Sequence, residues 1–333
     1  MEIHLLNPVD VNVNSSDLSL PIDGVAIRAS MAFAWPDMER GLYAPYFTQN
    51  LNLIENAGKK ISVCVMPSAL TPGKPGVSPW VFDTAHGNCL AFPYTNKSGA
   101  ACRIPLPWGN NWTAIWSFFV ISLASLLKER SIYSIKICGI NSDTEEKTLP
   151  RGDLNTYLRL TSFGYSPQAV IDAFKTFSGL YAKNFGCLLV DQSVPLAFPL
   201  GVNPYTDNSP TQAIRNWAST TYGNDYIVQN NGCNAHWVYP FAKSVQAVWP
   251  ITNDPAYHMN IGIPDTEQNI AYRWAKKLRD FNNNIQKLLW VEVYPGDLRN
   301  TKLVVPNVDV DTGKPPVWGN PGDSIWNLLR SLL

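Results

Sequence analysis

The chain has 333 residues with 26 basic and 26 acidic side chains, so its formal net charge is zero. Charged residues make up 16% and apolar residues 45%, and no basic block offers a footprint for a nucleic-acid backbone. This length holds one large α/β domain or two small ones.

With so few charges, Asn, Ser, Thr and aromatic tips must cover the surface. The 12 Trp, 14 Tyr and 26 Pro suit rigid loops and clefts for neutral, flat-faced ligands such as sugars. They equally suit a Trp-rich core. The first twenty residues lack the basic start and apolar run of a signal peptide. The expectation is therefore a chain that stays in the cytoplasm or is released within a phage or other assembly. The longest apolar run, residues 112–127, carries three Ser and one Thr and reads as a buried helix, so no membrane span is expected. Among the cysteines at 64, 89, 102, 138, 187 and 233 there is no CxxC pair, which argues against structural zinc. Cys64, Cys138 and Cys187 sit in strand-like runs, whereas Cys89 and Cys102 flank one loop and would bond in an oxidising compartment.

In chain order, Ile3 to Asn7 and then Val25 to Ser30 read as strands. Alternation turns Val25, Ile27 and Ala29 to one face and Ala26, Arg28 and Ser30 to the other. A modest helix over residues 48–58, stopped by Gly58, leads to a strand over residues 61–66. Residues 68–110 form a long stretch rich in Pro, Gly and aromatics, of the kind that walls a binding site or else holds short elements that the pattern does not reveal. A helix over residues 112–130 precedes the strand Ser134 to Ile140, which runs into the acids Asp143, Glu145 and Glu146. Ser166 and Pro167 open the next helix as cap and first residue. The strand GCLLVDQS ends at Asp191 and Gln192. After a helix over residues 211–222, the strand from Tyr226 ends in Gln229, Asn230 and Asn231. Residues 235–248 read as helical and 258–263 as a weak strand. An amphipathic helix over residues 266–283, the strand in KLLWVEVYPGDL and a closing helix over residues 324–333 complete the chain.

Strands alternating with helices imply a parallel sheet, and about eight units in one chain of this size fit a closed (β/α)8 TIM barrel. No GxGxxG opens a helix after a strand, which removes the usual cue for an open doubly wound sheet. The expected organisation is a single barrel domain over residues 1–333.

The sequence has no GxSxG, HExxH or P-loop motif, and its four His are widely scattered. Neither a metal nor a cofactor is called for. Carboxylates and amides at strand ends remain. Glu145 and Glu146 follow a strand at the C-terminal rim, where one could act as the acid of a glycosidase, or they could be a solvated acidic turn. Alternation points Trp290, Glu292 and Tyr294 inward, so Glu292 is either the partner carboxylate or a structural ion pair with the inward Arg28. Asp191, Gln192, Gln229, Asn230 and Asn231 are placed to meet sugar hydroxyls. Trp35, Trp108, Trp237 and Trp249 are either sugar platforms or core.

The strand Val25–Arg28, the segment Ala34–Glu39 (AWPDME), AGKKISVCV and the fourth strand with a Glu after it resemble the (β/α)8 glycoside hydrolases of the large retaining clan. The ending WVEVYPGDL resembles the last strand of other hydrolase-like barrels. The resemblance implies a TIM barrel acting on an oligo- or polysaccharide by two-carboxylate chemistry, with Glu146 or Glu145 as acid/base and Glu292 as nucleophile or base. It also implies substrate contacts from Arg28, Trp35, Trp290 and Tyr294.

Two departures stand out. The clan places Asn-Glu at the end of strand four, where this chain has Asn141-Ser142. The segment matched to strand seven, HMNIGIPD, has no Glu. The competing reading is a carbohydrate-binding or structural component of a virion or cell surface, built on a degenerate barrel that forms a homo-oligomer or larger assembly.

Overall fold

The computed structural model describes residues 1–67, 76–95, 99–142, 148–150, 154–192, 198–199, 206–207, 209–233, 244–248, 266–284, 288–309 and 311–332. Of 198–199, 206–207, 209, 230–233, 244–248, 281 and 284 only the main chain is described. Eight parallel strands form a closed barrel: β1 (Glu2–Leu6), β2 (Gly24–Ser30), β3 (Lys60–Met66), β4 (Ile132–Lys136), β5 (Leu188–Asp191), β6 (Tyr226–Cys233), β7 (Ser244–Val248) and β8 (Leu288–Val293). Each strand pairs with its neighbours in chain order, and β8 closes onto β1 through Glu2↔Trp290 to Leu5↔Val293. This is the α/β barrel that the alternation of elements predicts.

One local expectation is corrected. Residues 244–248, read as part of a helix, are β7. Pro240 cannot continue a helix, and SVQAV alternates like a strand, pairing with β6 on one side and β8 on the other. Strand seven is therefore not at residues 258–263, which lie outside the described residues. The described part of the long stretch over 68–110 has short elements, the alternative left open by its sequence. It holds a short 3₁₀ turn, Pro79–Phe82, and a hairpin pairing Ala91–Thr95 with Ala101–Pro105.

The main core lies between the strands and the helices. Val25, Ile27, Ala29, Ile61, Val63, Val65, Ile135 and Val291 face it, all buried. The helix Pro167–Asn184 starts as its sequence predicts, with Ser166 Oγ accepting the Ala169 N–H at 3.1 Å. The apolar helix Asn110–Leu127 is long and apolar enough to cross a membrane by length and composition. It buries Trp112, Trp116, Phe119, Val120, Leu123 and Leu127, while Phe118 and Ile121 stay exposed.

Three tryptophans of this region fix the barrel wall and the loops above it. Trp112 Nε1 donates to the Gly139 carbonyl and Trp116 Nε1 to the Cys138 carbonyl, each at 3.0 Å. These bonds hold the extension of β4 against the helix layer. Trp108 Nε1 donates to the Phe163 carbonyl at 2.8 Å, so its indole ties two loops together.

Candidate active site at the barrel mouth

The inward side chains are fixed by register. Arg28 pairs with Cys64, Ser134 with Leu188, Lys136 with Val190, and Glu292 with His4. Because alternate residues share a face, these chains stack in layers along the barrel axis.

The lowest layer is aromatic. His4 stacks on Trp290 with ring centroids 5.0 Å apart and 13° between planes, and Tyr133 tilts against both. A register slip places Tyr133 here: Ile61 pairs with Ile132, yet Ser62 pairs with Ser134. The extra residue is a β-bulge, which re-aims its side chain. Val190 and Ile227 complete a small apolar cluster around Trp290. Trp290 is thus part of the barrel floor. Its expected contact with substrate is corrected, because the indole has no exposed surface.

The middle layer is ionic. Lys136 Nζ lies 2.6 Å from Glu292 Oε2, and neither side chain is exposed. Gln229 Nε2 donates to the same oxygen at 2.9 Å, and Trp290 Nε1 approaches Oε1 at 3.4 Å. Burial alone would raise the Glu292 carboxyl. The Lys136 ammonium, with His4 and the Trp290 N–H, outweighs it and holds the carboxyl below its ordinary value. The cation against Glu292 is Lys136 and not the expected Arg28. Gln229 is likewise drawn down to this pair instead of presenting its amide at the rim. Sequence reading passed over Lys136, although a lone Lys in the otherwise apolar run YSIKIC is the signal that would have found it.

The upper layer faces the mouth. Arg28 Nε donates to the Asn7 carbonyl at 2.6 Å, and its guanidinium lies 5.6 Å from the Tyr294 ring centroid. Cys64 Sγ lies 3.9 Å from Cys138 Sγ and 3.8 Å from Gln192 Oε1. Gln192 therefore points inward at the end of β5. Asp191 does not. Adjacent residues of a strand face opposite ways, and Asp191 turns to the helix side, where it accepts from the Tyr226 hydroxyl. Burial and that carboxylate together push the Tyr226 phenol well above its ordinary value.

Trp35 is also corrected. It is 4% exposed and wedged among Trp80, Phe118 and Phe119, with centroids 4.8–6.1 Å away, so it is core and not an open platform. Glu145, Glu146, Trp237 and Trp249 lie outside the described residues, as do the side chains of Asn230 and Asn231. What frames the two Glu is described. Asn141 and Ser142 are buried on one side, and Thr148, Leu149 and Pro150 on the other. Ser142 Oγ and Thr148 Oγ1 are 3.0 Å apart, and Asn141 Oδ1 accepts the Gly139 N–H at 3.1 Å.

Beside this mouth, between the segments after β1 and after β8, lies a cleft of about 580 Å³. Its lining includes Asn7, Asn12, Asn14, Asp17, Tyr294 and Asn300. The amides of this cleft went unnoticed in the sequence because residues 7–14 and 294–300 meet only through β1–β8 closure. Among the described residues, no three His, Cys, Asp or Glu cluster to hold a metal ion.

The fold and the layered lumen define a closed (β/α)8 barrel. Solved structures similar to this chain include the catalytic domain of a β-amylase from Paenibacillus polymyxa, at TM-score 0.55, 10% identity and 95% coverage of both chains. An exo-β-1,4-mannosidase from Opitutaceae bacterium strain TAV5 matches at TM-score 0.52 and 11% identity, covering 99% of this chain and 59% of that one. A glycoside hydrolase family 5 enzyme from Prevotella bryantii B14 matches at TM-score 0.50 and 10% identity, covering 96% and 86%. At these identities the likeness is one of fold. No family model matches the sequence, and neither does any curated protein.

Proposed function

We propose that the chain is a carbohydrate-active barrel that binds an oligo- or polysaccharide at its C-terminal mouth and cleaves it with the acids that follow β4. The observation that carries this reading is the buried Ser142–Thr148 contact. Ser142 and Thr148 bound in sequence the five residues that carry Asp143, Glu145 and Glu146 after β4. The C-terminal rim is where barrel enzymes place their chemistry. In this reading Glu146, or Glu145, protonates the leaving oxygen, and a second carboxylate attacks the sugar or activates water.

Glu292 fits the second role poorly. Its carboxylate is already engaged by Lys136, Gln229 and Trp290, one layer below Tyr294. In the proposal its task is to hold the lumen together, and the second carboxylate comes from the same acidic segment. In the upper layer Tyr294 contacts the substrate, the buried Arg28 supports its ring, and the amide cleft beside Tyr294 extends the binding surface.

The Lys136–Glu292 pair also supports a second reading, in which the barrel binds glycans without cleaving them, as a surface or virion component. One experiment separates the two. The protein is offered a glycan array and, in parallel, reducing-end release is followed on every glycan bound. Release that falls by roughly 10²–10⁴-fold in Glu146→Gln or Glu145→Gln, with binding retained, supports hydrolysis. Binding without any release establishes the second reading, and no binding at all removes both.

A further inference from the structure

We propose that Cys64 and Cys138 form a redox pair that closes to a disulfide across β3 and the extension of β4, directly beneath the barrel mouth. The two sulfur atoms already stand 3.9 Å apart in the upper lumen layer, both side chains buried. Neither thiol has a part in the carbohydrate chemistry, so the inference stands independently of it.

The setting favours oxidation at Cys64. Arg28 is its cross-strand partner in register, and the Lys136 ammonium acts on it electrostatically. Burial by itself raises the Cys64 thiol, but Cys138, Lys136 and Arg28 pull it below its ordinary value. Burial instead pushes Cys89 up to about 11 and Cys187 up to about 12, which leaves those thiols protonated and slow. The main chain at Cys138 is held by Trp116, and Ile137 N–H donates to the Val190 carbonyl at 2.8 Å. Closure therefore comes from rotation of the two side chains, which must bring the sulfurs about 2 Å nearer to reach bonding distance.

With hydrogen peroxide as the oxidant the chemistry balances. The Cys64 thiolate attacks one peroxide oxygen, the O–O bond breaks, and hydroxide leaves and takes a proton to become water. Cys64 is then a sulfenic acid. The Cys138 sulfur attacks Cys64 Sγ, the S–O bond breaks, and a second water leaves. The two electrons given up by the thiol pair reduce peroxide to two waters.

The test uses the full chain, titrated with peroxide under native conditions, then digested and mass-mapped with and without reductant. The expected result is the loss of two hydrogens and a reducible link joining the Cys64 and Cys138 peptides. Cys138→Ser should instead accumulate a sulfenic acid that dimedone traps, while a Cys89→Ala/Cys187→Ala variant should still form the link. A link that maps to Cys89 and Cys102 overturns the proposal. So does a native chain whose Cys64 and Cys138 stay reduced at a peroxide concentration that oxidises them in the urea-unfolded chain.

Discussion

Lys136 and Glu292 reach across the barrel from opposite sides, β4 and β8, and meet at 2.6 Å with no water-accessible surface on either side chain. A buried pair of this kind is weak evidence of stability in itself, because both charges lose their hydration. Removing one partner is another matter. Lys136→Met or Glu292→Leu should cost about 3–5 kcal/mol, since an uncompensated charge is left in the lumen. The double variant Lys136→Met/Glu292→Leu should recover much of that loss. Urea unfolding of the four proteins measures the coupling, and additive single effects would show that the pair is not a unit.

The same pair sets an acid limit. The folded-state Glu292 carboxyl lies below its ordinary value of 4.5. The unfolded chain therefore takes up this proton first as pH falls, and stability drops. The contribution is complete above the ordinary value and is lost as pH descends through the depressed folded one. Wild-type stability should thus fall more steeply below about pH 4.5 than that of Glu292→Gln. Unfolding free energies at several pH values would show parallel curves if the shift were absent.

Asp191 and Tyr226 make a second buried link, on the helix side of β5 and β6. Tyr226→Phe strips the carboxylate of a hydroxyl donor and should destabilise by about 1–3 kcal/mol. Glycan binding should be unchanged, because Asp191 does not face the mouth. A binding defect at unaltered stability would return Asp191 to the site.

Trp35 and Tyr294 were both candidate contacts for sugar, and the structure separates them. Trp35→Ala removes a wedge from between Trp80 and Phe119 and should cost about 3–5 kcal/mol. Tyr294 is half-buried and lines the amide cleft, so Tyr294→Ala should weaken glycan affinity with little loss of stability. Thermal melts and glycan titrations on the two variants read these effects independently.

Gly139 has φ +122°, a conformation that side-chain-bearing residues rarely adopt. A Cβ here would also stand 2.8 Å from both Phe177 and Trp116 Nε1. Gly139→Ala should therefore destabilise the barrel by about 1–3 kcal/mol. It should also displace Asn141 and reduce any turnover more than it reduces glycan binding. Equal losses in both would mean that the position serves only packing.

Several elements were legible in the sequence because their signals are local. The strands at Val25–Ser30 and Ile61–Met66 and the Ser166-Pro167 helix start follow from alternation and capping, which need only near neighbours. Alternation also turned Arg28 and Glu292 inward correctly. What it could not say is how deep each residue sits, since depth depends on register around all eight strands. Register placed Glu292 one layer below the mouth, beside Lys136, and turned Asp191 away from the lumen. It also brought together Cys64 and Cys138, which are 74 positions apart in sequence. Strand seven was misread because SVQAV is short and becomes a strand only through the ladders that β6 and β8 offer it.

The acidic stretch after β4 shows the division most clearly. By itself the sequence determined that three carboxylates follow a buried strand in a chain that alternates strands with helices. Only the tertiary structure decided that this strand ends at a barrel mouth, that Ser142 and Thr148 meet at 3.0 Å, and that Glu292 is engaged by Lys136. Composition and periodicity report what one segment prefers, whereas the pairing of distant residues is settled by closing the sheet.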